Sequence, residues 1–481
     1  MRLPIAFLLA SVYAGASAAP IVTDWAAAAR RDIAFAGATM AATHAGVAGG
    51  DPSVVVPLET GMRLVLAEAD QVRDELGYRR LMMRFIAGFG DPHTGIDVKQ
   101  SIRGWAGMLV DRVDGRYRVA WSEPGWPSAL PPAGAIVDSC DGVWFGTYLK
   151  TQVAPFVSDS VEYPSTFSTL ARAAMLDRGL GSAPKACVFT LADGSRRSYT
   201  LSMQAATEPD AQARLQAAQR KVRAAATPAG MRALGAGKTW VGMPSFSGKQ
   251  DGPAYQALYP KLAALPKSGW VVFDLRGNGG GDSSWGTRAL AALFGEAYAQ
   301  QLAQSGGLEK YMVANATSAE VLKRYIAAPE FAASKAENEA DLAKVEAAIA
   351  RGEKLALVSG EAGAAARPVA LLARPHGPRI AALIDRNCFS SCMNFLQQIH
   401  TIADSVVLGE ATIGYSPFGE TMVAPLPSGQ GRLFIPTALY KTTQPTRAPF
   451  LPDVPYTGDM ADDALLMRWV GATLDKLGAR R

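Results

Sequence analysis

The nine residues NCFSSCMNF, Asn387–Phe395, place two adjacent serines between two of the chain's four cysteines. A serine hydroxyl attacks a carbonyl only when a base takes its proton and donors hold the developing oxyanion. The apolar lead-in IAALID reads as a strand and MNFLQQIHTI as a helix, so Ser390 falls on the turn that opens the helix. There the free amides and the helix dipole favour negative charge. Read alone, a serine at that position is an N-cap. A second stretch, WVVFDLRGNGGGDSSWG, runs from a strand buried on both faces, through Val271 to Phe273, into the glycines Gly277, Gly279, Gly280 and Gly281. Glycines permit positive φ and let backbone amides approach a ligand closely. The loop matches neither a P-loop nor a dinucleotide fingerprint. Such a loop could bind a phosphate or stabilise an oxyanion, in the second case with the Gly280 amide as one donor and the Ser391 amide as the other.

These residues must be carried by an α/β frame. Strand KTWVGM, helix AYQALYPKLAAL, strand GWVVFDL, the glycine loop and helix SWGTRALAALFG alternate in the way that builds a parallel sheet with crossover helices. Residues 19–97 read as helical, with alanine-rich segments from Asp24 to about Ala45 and from Leu58 to Phe89, ended by GFGDPHTG. From 98 to 204 the texture changes to short strands and turns. Residues 205–235 read as a polar linker helix. Within the 205–481 core, residues 297–366 read as a helical insertion. In it Thr317 and Glu320 have capping-box spacing, and a second helix runs from Ser334 to Arg351.

Taken together, GWVVFDLRGNGGG, AALIDRNCFSSCMNF and VVLGEATIGY resemble the S41 serine peptidases, the tail-specific or C-terminal processing peptidases and their tricorn-core relatives. The resemblance covers about Lys238 to Asp453 apart from the insertion. It implies a crotonase/ClpP-like α/β core, no cofactor and no metal, and peptide-bond hydrolysis through an acyl-enzyme. By motif position it makes Ser390 the nucleophile and assigns the oxyanion donors to Ser391 and Gly280. Upstream, GWAGMLVDRVDGRYRVAW and the residues to Gly142 are similar to the family's PDZ domain, with a carboxylate-binding loop at Gly104–Gly107. Such a domain captures a substrate's C-terminus on backbone amides.

The match is incomplete around the base. One branch of the family places a lysine after the glycine of G-E-x-T-x-G, and here Tyr415 follows Gly414. Lys441 is the nearest lysine in sequence, and no motif places it. The tricorn-like branch uses a histidine from a D-x-H-T-like stretch, and GDPHTG supplies Asp91, His93 and Thr94. An imidazole titrating near neutrality suits a serine nucleophile. No acid precedes Pro452-Asp453 at the family's position. Glu420 or Asp97 could orient His93, and the sequence leaves the choice open.

The first residues, MRLPIAFLLASVYAGASAAP, carry one arginine, an apolar stretch and Ala16-Ser17-Ala18, a secretory signal pattern over residues 1–18. The expected product is exported to the periplasm or beyond, with no membrane span after signal removal. A net charge of +5 over 481 residues, without a long basic run, excludes nucleic acid as an expected partner. The partner implied is a peptide or protein substrate, and the oligomeric state is not legible. An exported chain with four cysteines pairs them in one of three ways. Cys140 with Cys187, both in the PDZ-like segment, and Cys388 with Cys392, four residues apart across the serine turn, is the expected set. Two free thiols packed under the helix are the alternative for the second pair. The rival to a peptidase is a weakened relative that binds peptides or apolar ligands, which the missing lysine and acid would suit. An acyl-CoA enzyme on the related crotonase fold fits poorly with export.

Overall fold

The computed structural model describes residues 22, 24–98, 102–158, 160–163, 165–181, 183–205, 209–222, 227–305, 308–366, 370–442 and 448–479. The signal pattern at 1–18 lies outside them. The described residues divide into two compact units, one holding those of 22–222 together with Val423–Ile435, the other holding those of 227–422 and 436–479.

In the first unit, helices Trp25–Thr43, Pro52–Ala69 and Glu75–Ala87 start at side-chain caps from Asp24, Asp51 and Asp74. The stretch from Leu58 to Phe89, expected as one helix, is therefore two. Asp74 accepts the Gly77 amide at 2.8 Å and begins a new helix where the first has ended. A sheet follows with strands ordered Met108–Val113, Arg116–Ser122, Ile136–Cys140, Ala186–Thr190 and Arg196–Thr200. Helix Thr166–Ala174 packs on it through Leu170 and Ala174. Cys140 and Cys187 are register partners on neighbouring strands and are bonded, with Cα atoms 4.1 Å apart. Among the described residues of 205–235, helix runs over Pro209–Lys221. Gly230–Ala233, in the second unit, forms a strand antiparallel to Lys238–Gly242.

The second unit is built on a six-stranded sheet. Its order is Gly230–Ala233, Lys238–Gly242, Trp270–Asp274, Arg379–Ile384, Val406–Gly409 and Val454–Pro455, and every pairing after the first is parallel. The expected alternation of strands and crossover helices is what lays these strands side by side. Side chains alternate between two cores, as a pleated strand requires. Val271 and Phe273 face helices Gly248–Ala263, Ser284–Phe294 and Ser391–Thr401. Trp270 and Val272 face Leu466, Val470 and Leu474 of the last helix, Asp463–Ala479.

Residues 297–366 hold strands as well as helices. Glu309–Val313 and Leu355–Ser359 pair with each other, and Glu309–Met312 pairs with Ala438–Lys441. Short strands enclosing two helices have a weak period of their own, which the helical pattern masks. The helix Ala316–Ala327 is capped by Asn315, which accepts the Ser318 amide at 2.9 Å. Its start thus precedes the Thr317–Glu320 spacing. The second helix, Lys335–Ala350, ends before Gly352 at φ +71°.

Candidate active site

The glycine loop leaves the strand Trp270–Asp274 in a pair of buried charges. Arg276 donates to both Asp274 oxygens at 2.9 and 2.7 Å and to Asp463 at 2.8 Å, while Trp240 donates to Asp274 at 3.2 Å. Burial disfavours the Arg276 charge, but the two carboxylates outweigh it and hold the guanidinium above its ordinary pKa. The Asp-Leu-Arg of the motif therefore anchors the loop and leaves the reacting geometry to the residues beyond it.

Those residues are stitched to the serine turn from both sides. Asp385 accepts the Gly277 amide at 3.1 Å and the Asn387 amide at 3.0 Å. The Phe389 amide donates to the Asn278 carbonyl at 3.2 Å. Asn278 is fully buried, donating to the Met243 carbonyl at 2.9 Å and accepting the Gly280 amide at 2.9 Å. In this conformation the Gly280 N–H points at its own loop's asparagine.

Ser390 has φ +57° and ψ −124°, a region that L-residues rarely occupy, and its side chain makes no capping hydrogen bond. The N-cap role that the position alone suggested is not filled. A Cβ built on Gly280 would lie 2.8 Å from Ser390 Cβ and 3.0 Å from the Ser391 amide nitrogen. Ser390, Ser391 and Gly280 are thus brought together, and only glycine fits at 280. The Ser391 hydroxyl donates to the Gly281 carbonyl at 2.6 Å and accepts from Ser283 at 3.1 Å. Asn394 donates to Ser283 at 3.2 Å, completing a chain that ties the helix start to the glycine loop. Ser283 did not stand out in the sequence, because it works across a long separation.

Cys388 and Cys392 are bonded, with Cα atoms 5.4 Å apart, so a disulfide closes over Ser390. Both are buried, and Tyr415 belongs to the same core. Burial pushes the Tyr415 hydroxyl up to about 12, so it stays protonated at neutral pH and is no base. Arg386 grips Glu410 of the Gly-Glu-x-Thr stretch at 2.6 and 3.0 Å, and Asp453 accepts the Val407 amide at 2.7 Å.

His93 lies in the first unit, in the turn Asp91–Thr94. Asp91 accepts the His93 amide at 3.3 Å and the Thr94 hydroxyl at 2.6 Å. Thr94 in turn meets Nε2 of buried His44 at 2.9 Å. His44 Nδ1 accepts the Gly46 amide at 3.0 Å, which puts its proton on Nε2 and makes it the donor to Thr94. No motif singled out His44, and its place under the turn is a tertiary fact. The two acids considered for His93 have partners of their own. Asp97 pairs with Arg432 at 2.6 Å. Glu420 takes Lys310 at 2.9 Å and the Tyr440 hydroxyl at 2.8 Å. Exposed Lys441 sits with its Nζ 4.7 Å from the Tyr311 ring centre.

The loop at Gly104–Gly107 is largely occupied by its own fold. Gly104–Trp105 is the middle strand of three, and the Arg103 and Ala106 amides donate to the Asp177 and Met175 carbonyls at 2.7 and 3.1 Å. Gly107 has φ +74° and lies so close under Trp126 that a Cβ would be 2.3 Å from its indole. The Ala106 amide within the loop and the Arg103 amide just before it are thereby withheld from a carboxylate.

No family model matches the chain, and no curated protein matches it. Solved structures do. Mature CPAF complexed with lactacystin is similar over 95% of this chain and 99% of its own, with a TM-score of 0.67 and 12% identity. A second structure of mature CPAF is similar over 94% of this chain and 98% of its own, with a TM-score of 0.63 and 12% identity. The photosystem II D1 C-terminal processing protease is similar over 92% of this chain and 96% of its own, with a TM-score of 0.38 and 13% identity. The likeness to CPAF is one of fold: the chain shares the mixed α/β fold of CPAF, the fold class expected from the sequence.

Proposed function

We propose that the chain is an S41-type serine peptidase in which Ser390 attacks the peptide carbonyl and forms an acyl-enzyme. The observation that carries the reading is the uncapped, left-handed Ser390 at the start of a helix, against a glycine loop that admits no side chain at 280. An N-cap needs neither feature. A nucleophile on a turn needs both, because the hydroxyl must stand clear of the helix and an oxyanion must fit between two backbone strands.

In this reading the Ser391 amide is one oxyanion donor. The Gly280 amide becomes the second by leaving Asn278 Oδ1 when substrate binds. Catalytic hydrogen bonds are often misaligned in a free site and tighten in the complex. His93 takes the serine proton and returns it to the leaving amine, and the Asp91–Thr94–His44 chain holds its turn. Two disulfides and the signal pattern support export. The substrate is a peptide or unfolded protein. The test is hydrolysis of an unfolded protein substrate by the purified mature chain, with Ser390→Ala as control. Cleavage by wild type alone supports the reading. Peptide binding without cleavage by either form would replace it with the weakened binder.

A further inference from the structure

Four arginines converge on one loop of the first unit, far in sequence from Ser390. Arg79 and Arg80 come from the helix Glu75–Ala87, Arg103 precedes the strand Gly104–Trp105, and Arg178 belongs to the loop Asp177–Gly181 itself. The loop carries two left-handed glycines, Gly179 at φ +67° and Gly181 at φ +71°. A Cβ on Gly179 would sit 2.7 Å from Arg103 Nε, and one on Gly181 would sit 2.9 Å from Arg80 Nη1. The two guanidinium groups therefore lie directly against a backbone kept bare.

Two of the four are buried, Arg79 at 2% exposed and Arg178 at 8%. Arg79 Nη2 donates to the Arg178 carbonyl at 3.2 Å, and its Nε is buried with no partner. Among the described residues none of the four takes part in an ion pair. The acids near Arg79 are Glu75, exposed on the first turn, and Asp177, whose Oδ1 is taken by the Gly179 amide at 2.7 Å. Burial disfavours the charge on both buried arginines; Arg79 adds to this at Arg178, and at Arg79 itself Arg103 adds to it while Glu75 and Asp177 offset part of it. Arg80 also rests over the Phe156 ring at 5.3 Å, which aims it without neutralising it.

An unpaired buried cation costs several kcal/mol, and two that repel each other cost more. Structures retain such groups when something else supplies the opposite charge. Arginine's planar fork of donors matches a carboxylate or phosphate group bidentately. We propose that this cluster is a binding site for a compact oxyanion, a carboxylate or phosphate group, held by Arg79, Arg80, Arg103 and Arg178. The site does not depend on the proposed peptidase activity.

The test is thermal unfolding of the full mature chain in phosphate and in acetate, against chloride at matched pH and ionic strength. Wild type should gain Tm saturably as phosphate rises to about 50 mM, by the mass action of a ligand that binds only the folded state. Arg80→Gln and Arg103→Gln, both at exposed side chains, should each cut that gain by half or more. Arg79→Gln should remove it, and the two exposed variants keep the test open should that chain fail to fold. A short peptide with a free C-terminus, set against its amidated twin in competition with phosphate, tells a peptide carboxylate from a phosphate group as the natural ligand. A Tm gain equal in wild type and in both exposed variants would be a general salt effect and would overturn the site. So would no gain in wild type.

Discussion

Gly280→Ala adds one methyl group, and its two costs can be separated. Its Cβ would lie 2.8 Å from Ser390 Cβ, 2.9 Å from the Phe389 carbonyl oxygen and 3.0 Å from the Ser391 nitrogen. All three are backbone or Cβ atoms, so none can swing aside. Relaxing them toward ordinary contact, about 3.5–4.0 Å between carbons, moves the serine turn by roughly 0.5–1 Å. A shift of that size is enough to lower the rate of a positioned reaction by about 100-fold. The second cost is backbone strain at φ +101°. With overpacking it should destabilise the fold by about 2–6 kcal/mol. For a unit of this size that is a drop in Tm of about 5–20 °C. Gly363 isolates the strain, because it has φ +82° and nothing lies within 4 Å of the place its methyl group would take. Gly363→Ala should lose a few degrees and react with a fluorophosphonate at the wild-type rate. Gly280→Ala, assayed well below its own Tm, should react about 100-fold more slowly. If folded Gly280→Ala reacts as fast as wild type, the glycine loop does not bound the reacting centre.

Ser391→Ala keeps its backbone amide and should retain most reactivity, with a modest fall in Tm from losing its bond to the Gly281 carbonyl; a loss as complete as that of Ser390→Ala would make Ser391 the working hydroxyl. His93→Ala should lower kcat by about 10²–10⁴-fold, and wild-type activity should fall as pH drops through the imidazole range, about 6.5 when unperturbed. Unchanged activity in His93→Ala with loss in Lys441→Ala would instead mark a relocated Ser-Lys pair. Replacing both Cys388 and Cys392 with alanine opens only a very short loop, so stability should change little, while the freed serine turn should react roughly 10-fold more slowly. Full reactivity in that double variant would show that the disulfide does not hold the turn.

The core was legible where one element dictates its neighbour. An all-apolar Val271–Phe273 must be buried on both faces, and a strand followed by glycines and a helix leaves few ways to lay out the sheet. The serine turn was legible for the same reason, since the cysteines and the lead-in strand fix it locally. What did not read from sequence was carried by side chains acting across the fold. Ser283 linking Ser391 to Asn394 leaves no period or motif. The same is true of Asp32, which accepts the Ser428 amide at 2.9 Å and the Tyr78 hydroxyl at 2.6 Å. Residues 423–435 join the first unit through such pairings, although Ala224–Met422 of the other unit separates them from it in the chain. The strands at 309–313 and 355–359 were hidden because five-residue strands beside strong helices have too few positions to show alternation.

The central claim is that Ser390 is the reacting hydroxyl. Fluorophosphonate treatment of the purified mature chain, followed by peptide mapping, tests it in one step. The account predicts a single adduct, on Ser390, absent from Ser390→Ala and slowed at low pH. An adduct on any other serine, or none on the folded wild-type chain, would contradict it.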